Sequence, residues 1–298
     1  MAAALVFLAG CTADSDTDDT GENGGAPGSM PQVAEEFGGD AQMDFGNGTP
    51  AEELHVEVLE AGDGEVVEEN AAVLAHYAGH VWDSAEPFDS SFERGEPSMF
   101  PLTGVVQGWS QGIPGHSLGS RLLISIPPEL GYGSQGNAGA GIGGEDTIVF
   151  VVDLIDAVNP DQAGAADAEL VADLDELPVS IDGDVGEPAM ITVDDDAPVP
   201  QEPTIEVIAD GGGEVVQPGH SVVVAYSIVT WSNEEQESTW PQYEGTNPVP
   251  EMGQVGSGQW HDLLAEVPEG SRVLITLPGG EGGTGAAILA DVVLTHGG

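Results

Sequence analysis

Positive charge is what this sequence most lacks. Its 298 residues hold 53 Asp and Glu against three basic side chains, Arg94, Arg121 and Arg272, with no lysine, for a formal net charge of −50. That balance excludes ordinary nucleic-acid binding, because affinity for DNA or RNA comes largely from Lys and Arg neutralising phosphates. Self-repulsion on this scale is tolerable where salt screens it, the Debye length shrinking to roughly 3 Å at 1 M ionic strength. The composition therefore points to a saline extracytoplasmic habitat, an acidic secreted protein in ordinary salt being the alternative. With a single cysteine, Cys11, no intramolecular disulfide can form. The seven histidines are scattered without ligand spacing, so no zinc site is expected. Aromatics are few, yet five Trp and seven Phe within a 40% hydrophobic composition can still build real cores.

Long apolar runs are missing too. The opening MAAALVFLAG is far too short to span a bilayer and reads as the end of a signal peptide. Leu8-Ala9-Gly10-Cys11 resembles the lipobox of lipoproteins, which would make Cys11 a lipid-attachment site and put the chain on the membrane only through that anchor. No Lys or Arg precedes the run, so either the true start lies upstream or the lipobox is accidental. Residues 12–32 follow as a disordered acidic tether, rich in Gly and nearly free of apolar side chains. Counted from Asp14, a calcium loop would need Gly at 19 and Glu at 25, where Asp19 and Gly25 stand.

The rest of the chain repeats itself. VEVLEAGDGEVVEENAAVLAHYAGHVW, from Val56, aligns without a gap with IEVIADGGGEVVQPGHSVVVAYSIVTW, from Ile205; ten of the 27 positions are identical, among them Tyr77 with Tyr226 and Trp82 with Trp231. GSRLLISIP from Gly119 matches GSRVLITLP from Gly270, so that Arg121 and Arg272 coincide, and both halves end in apolar runs, from Thr147 and Ala286. A period this long implies two independent modules, 33–158 and 178–298, joined by an acidic linker, 159–177, expected as a short helix.

Each module reads as strands, VEVLE, AAVLAHYAG, RLLISIP and TIVFVVDLI in the first, separated by Gly- and Pro-rich turns. One short helix is expected there, Val105–Ile113, ended by Pro114-Gly115 and placing Val106 and Trp109 one turn apart on one face. The fold class is α+β, an antiparallel sheet curved round a single short helix in each module.

HYAG, FDSS, RGEP, FPL, VVQGW, PPELGYG and TIVFVVDL follow one another over about 80 residues of the first module. In that order they resemble the FKBP-type peptidyl-prolyl cis-trans isomerases, or rotamases. The resemblance implies two FKBP-like modules, an isomerase activity without cofactor or metal, and proline-containing polypeptides as partners of a monomeric chain. It assigns Tyr77, Phe88, Asp89, Val106, Trp109, Tyr132 and Phe150 to catalysis and Arg94, Val105 and Ile142 to substrate binding. Trp109 would be the floor under the proline ring, with Tyr77, Phe88 and Phe150 as walls. The Val106 N–H and the Tyr132 hydroxyl would hold substrate carbonyls, and Arg94, paired with Tyr and Asp side chains at the rim, would orient Asp89. Two departures stand out: Ser98 replaces an aromatic found in some members, and Gly143-Gly144 stands where Pro-Pro is common.

Such chemistry needs no nucleophile. Peptide-bond resonance creates a rotation barrier of about 18–20 kcal/mol and puts negative charge on oxygen, and a dry aromatic pocket disfavours that planar, charge-separated form relative to the twisted one. Taken singly, FDSS is a strand end with an Asx turn, and Trp109 and Phe150 are plain core. Only the ordered set turns them into a pocket.

The second module keeps Tyr226 and Trp260, but ESTW stands in the FDSS region, Gly256-Ser257 near the place of Val105-Val106, and Ala290 is aligned with Phe150. Its shortened turn, GGEGGTG from Gly279, lacks the Lys and Ser/Thr of a phosphate loop. A catalytically silent copy is expected, holding substrate or spacing the active module. The alternative for the whole chain is a non-catalytic FKBP-like binding lipoprotein.

Overall fold

The apolar runs form two antiparallel sheets. The computed structural model describes residues 28–240, 248–280 and 284–297; the lipobox with Cys11, and the tether up to residue 27, lie outside the described residues. In the first module β1 (His55–Glu60), β2 (Ala72–Val81), β3 (Asp89–Ser90), β4 (Ser98–Pro101), β5 (Arg121–Ile126) and β6 (Ile148–Val158) make one sheet in the order β1-β5-β6-β2-β3, with β4 also on β2. Between its strands lie two short helices, α1 (Ser91–Arg94) and α2 (Gln107–Gly112).

After the connector strand β7 (Glu169–Leu170) and the hairpin β8 (Val179–Asp182) and β9 (Met190–Val193), the second sheet is built from β10 (Thr204–Asp210), β11 (Ser221–Thr230), β12 (Gln236–Ser238), β13 (Glu251–Gln254), β14 (Arg272–Leu277) and β15 (Ala286–His296). Its order, β12-β11-β15-β14-β10-β7 with β13 also on β11, repeats that of the first sheet with β7 added at the edge. Both register shifts recur as well, at Val58/Glu60 and Val207/Ala209 and at Leu74/Ala75 and Val223/Val224.

Strand β5 is buried at all six residues, which a sheet with one wet face could not achieve. On one face Leu122, Ile124 and Ile126 join Trp109, Ile113 and Phe150 in the core under α2. On the other, Leu123, Val149 and Val151 are covered by Met43 and Phe45 from the segment before β1, together with Met30 and Trp82. Burying side chains such as Met43 and Phe45 contributes about 1.5–3 kcal/mol each. The second sheet is covered in the same way by Val179, Ile191 and Val193 of the β8–β9 hairpin, packed on Ile208, Leu274 and Leu289. This explains the matched tryptophans of the repeat: Trp82 meets Phe45 edge-on at 5.2 Å, and Trp231 donates from Nε1 to the Ala197 carbonyl at 3.2 Å.

Two of the three arginines hold these covers in place. Arg121, fully buried, donates through Nη1 to Asp153 Oδ2 at 3.0 Å and through Nη2 to the Asp40 carbonyl at 3.0 Å, while the Gly38 N–H donates to the same carboxylate at 2.8 Å. Arg272 donates to Asp291 at 2.7 Å and to the Asp184 carbonyl at 2.8 Å, with the Gly164 N–H on Asp291 at 2.8 Å.

Several expectations change. The acidic tether ends earlier than residue 32, since Gln32 and Asp44 exchange backbone bonds and Met30 packs on the sheet. The linker is not a helix: it contains β7, paired with β10, and one 3-10 turn, Leu174–Glu176, because so short a run gains too few backbone bonds to offset helix nucleation. In place of α2 the second module has a 3-10 turn, Trp260–Leu264, and the first has α1 beside α2, so the expected single helix per module holds for neither. Nor are the modules separate: Leu74 and Met99 pack against their register counterparts Val223 and Met252, and the Trp240 indole donates to the Gln162 carbonyl at 3.0 Å.

Candidate active site

Pairing of β2 with β6 and β3 sets Tyr77, Gly79, Asp89 and Phe150 on the concave face, above α2. Helix α2 starts two residues later than expected. Val105 and Val106 precede it, and Val106, extended at φ −61° and ψ 148°, is its N-cap, its carbonyl accepting from the Trp109 N–H at 2.9 Å. The Val106 N–H is left without a partner among the described residues and borders the cavity.

That cavity, of about 280 Å³, is lined by Tyr77, Phe88, Asp89, Phe100, Gly104, Val105, Val106, Trp109, Tyr132 and Phe150. Trp109 is 3% exposed and stands edge-on to Tyr77, Phe100 and Phe150 at centroid separations of 5.7, 5.3 and 5.2 Å; Phe88 and Phe150 meet perpendicular at 5.6 Å. Gly79 is the gap into which the Phe88 and Phe150 rings close, since a Cβ there would lie 2.6 and 2.5 Å from them.

At the rim, Tyr77 donates its hydroxyl proton to Asp89, and Arg94 donates to Asp89, to the Tyr77 oxygen at 3.0 Å and to Ser98 Oγ at 3.2 Å. Helix α1 carries Arg94 to this point. Its N-cap Ser90 accepts from the Glu93 N–H, and Ser91 Oγ accepts from the Tyr77 N–H at 2.7 Å, tying the helix to β2. Burial pushes the Tyr77 hydroxyl above its usual range, with the Asp89 bond adding to the shift. For Asp89, burial acts in the same direction but is outweighed by the bonds from Tyr77 and Arg94 and by the arginine's charge, so its carboxyl is held low.

Nine of the ten residues expected in the pocket are thus brought together. Ile142 is not on the cavity wall; it is 3% exposed within the core cluster, because the Gly-rich loop folds back there and its N–H donates to the Asn137 carbonyl at 2.9 Å. Sequence reasoning passed over Phe100 and Gly104. The FPL string carried a signal for the first, being part of the recognised order, whereas a lining glycine leaves no chemical trace.

A model of the FKBP-type peptidyl-prolyl cis-trans isomerases matches residues 64–155, a span that contains every residue lining the cavity. The chain is 40% identical over 116 residues to a probable FK506-binding protein of Corynebacterium glutamicum, covering 39% of this chain and 97% of that one. The chain belongs to the FKBP-type peptidyl-prolyl isomerase family. An FK506-binding protein of Streptomyces anulatus is 37% identical over 116 residues, covering 38% of this chain and 94% of that one. The FKBP-type isomerase FkpA of Escherichia coli K12 is 42% identical over 120 residues, 40% of this chain and 42% of that longer one. The chain is accordingly a peptidyl-prolyl cis-trans isomerase acting on proline-containing polypeptides, and its first module has the FKBP fold.

In the second module, strand register reassigns two positions. Ala290 pairs with Tyr226 as Val152 pairs with Tyr77, so Ile288, opposite Ile228, is the counterpart of Phe150, opposite Gly79. Glu237 pairs with Ile228 as Asp89 pairs with Gly79, so the acid is retained and Gln236 replaces Phe88. Gly253 stands for Phe100, and a Cβ on it would be 2.3 Å from the His261 ring. His261 stacks on Trp260 at 4.0 Å and its Nε2 lies 3.1 Å from Glu251, whose carboxylate also bonds Tyr226 and Trp260. Polar side chains and Ile228 therefore take the place of an aromatic cavity.

Proposed function

We propose that the chain is a duplicated, extracytoplasmic folding catalyst in which the first module carries out the isomerisation and the second is a silent copy that holds or spaces. The observation that carries this reading is the contrast just described: a mainly aromatic cavity in one module, and at the matching place in the other a polar His261–Glu251 cluster against Trp260.

In the working module the proline ring rests on Trp109 between Tyr77, Phe88, Phe100 and Phe150. Water is excluded there, which weakens the planar amide's charge separation and favours the twisted form. The unpartnered Val106 N–H and the Tyr132 hydroxyl receive carbonyl oxygens flanking the proline and hold the peptide in a turn. Asp89, oriented by Arg94 and Tyr77, faces the rotating amide. Each tenfold in rate needs about 1.4 kcal/mol, so several modest terms of this kind suffice. The acid-rich surface suits a saline medium outside the cytoplasm, and Cys11 would tether the chain by lipid; two acyl chains, at about 0.8 kcal/mol per buried methylene, would hold it.

The test is cis/trans exchange of a Xaa-Pro peptide by NMR with the full chain and its Phe88→Ala variant, whose folding is checked by circular dichroism. Uncatalysed exchange takes tens to hundreds of seconds, which makes acceleration easy to see. Loss of nearly all acceleration on changing the first module alone is the expected result. Substantial residual activity, removed only by a second change at Tyr226, would show that the second module also works. For the anchor, mass spectrometry of the protein from its native membrane should find acyl chains on Cys11.

A further inference from the structure

On the convex side of the first sheet, opposite the proline cavity, lies a second cavity of about 270 Å³ between the N-terminal cover and the β2–β3 connection. Asp40, His80, Glu86, Pro87, Ser90 and Glu93 are among the residues on its wall. What distinguishes it is the excess of carboxylates on its wall. His80 is 1% exposed, and its Nδ1 lies 3.1 Å from the Ser84 carbonyl. A carbonyl can only accept, so Nδ1 carries a proton, and in the Nδ1–H tautomer Nε2 is an acceptor. No described residue bonds that nitrogen. Asp40, Glu86 and Glu93 add carboxylates, and Ser90 Oγ already accepts from the Glu93 N–H at 3.2 Å.

The chain supplies no cationic side chain of its own to these carboxylates. It has no lysine, and its three arginines are committed to Asp89, Asp153 and Asp291. Nor does a metal ion fit: among the described residues, no three His, Cys, Asp or Glu side chains are grouped so that they could hold one. A cavity with three carboxylates on its wall, beside the Gln42 amide and the Ser90 hydroxyl, and too widely spaced for a metal suits an organic cation with several N–H donors.

Its position suggests where that cation comes from. β3 is an edge strand, and consecutive residues serve the two cavities: Phe88 and Asp89 line the proline pocket, while Pro87 and Ser90 line the acidic one. Passing round such an edge takes on the order of 10 Å, or three to four extended residues at about 3.3 Å each.

We propose that this cavity binds the ammonium or guanidinium group of a Lys or Arg in the client polypeptide, three to four residues from the proline being isomerised. It thereby selects basic segments. The proposal rests on the isomerase assignment, and the experiment keeps the two apart. NMR exchange is measured with the full chain on blocked ten-residue peptides carrying one Phe-Pro bond and one Lys, placed two to six positions to either side, each paired with its norleucine analogue. Lys at the matching offset should raise kcat/KM roughly fivefold, the scale of one or two exposed ion pairs. Glu86→Gln with Glu93→Gln should abolish that gain and leave the norleucine peptides unchanged, and only the Lys peptide should shift the His80 ring signals. Equal gains at every offset would mean general attraction by the acidic surface, and a gain that survives in the double variant would place the contact elsewhere; either overturns the proposal. Butylammonium added alone, against matched sodium chloride, tests for a free amine: a comparable His80 shift at the peptide's own concentration would assign the cavity to small amines and overturn the client reading. If no peptide at all exchanges faster, the isomerase assignment itself has failed.

Discussion

Phe150 crosses so closely over Gly79 of the neighbouring strand that a single added methyl group would lie 2.5 Å from its ring. The two residues are register partners, and Phe88 closes on the same glycine from the other side. Gly79→Ala should therefore splay both walls. Overpacking of this kind costs about 1–3 kcal/mol, and kcat/KM should fall by at least about tenfold if the walls move by even a fraction of an ångström. Urea unfolding and NMR exchange on the same sample would separate the two effects. The second module supports the logic, since Ile228 occupies the matching position.

The Arg94–Asp89 pair is about half exposed on both sides, so it belongs to function more than to stability. Arg94→Leu should change unfolding free energy by less than about 1 kcal/mol. The same change should lower kcat/KM severalfold, because Asp89 loses the group that orients it. Unchanged exchange rates in this variant would remove Arg94 from the site.

Acid should reveal the same pair. Asp89 is held below its ordinary value of 3.8, so its ionised, paired form is fully present above that value and is lost only as pH falls through the lower folded-state value. The kcat/KM profile should accordingly stay flat from neutrality down to about pH 5 and show no carboxylate inflection near 4. An inflection near 4.5 that vanishes in Asp89→Asn would contradict the assignment.

Arg121 and Asp153 behave differently because both are buried, at 0% and 1% side-chain exposure. Asp153→Asn leaves an uncompensated guanidinium in the core and should cost about 3–5 kcal/mol. It also removes the carboxylate that holds the Gly38 N–H, so limited proteolysis should begin in the 28–54 segment before any cut within the sheet.

Salt should stabilise the whole chain. With a net charge of −50, raising KCl from 0.1 to 1 M shortens the Debye length from about 10 to 3 Å. The melting midpoint should rise on the order of 10 °C, equivalent to about 3 kcal/mol. A flat salt response in thermal melts would count against a saline habitat.

By itself the sequence determined the strands of both modules, their repetition and nearly all of the pocket: Tyr77, Phe88, Asp89, Trp109, Tyr132 and Phe150 lie in short strings whose order is distinctive, and their apolar character is what amide desolvation demands. Tertiary structure decided whatever depends on register and on long-range cover. Ile288 rather than Ala290 faces the place of Phe150 because strand pairing, with its shift at Val223/Val224, sets which side chains share a face, and similar apolar runs can be aligned in more than one way by eye. Ile142 left the pocket and Phe100 entered it for the same reason: facing a cavity is a property of the packed sheet and loop, not of a residue type. The segments that cover each convex face, around Met43 and Phe45 and in the β8–β9 hairpin, lie within the module bounds read from the sequence, but that reading gave them no role. They are held there by Arg121 and Arg272 through backbone carbonyls and N–H groups that every residue possesses and no sequence pattern marks.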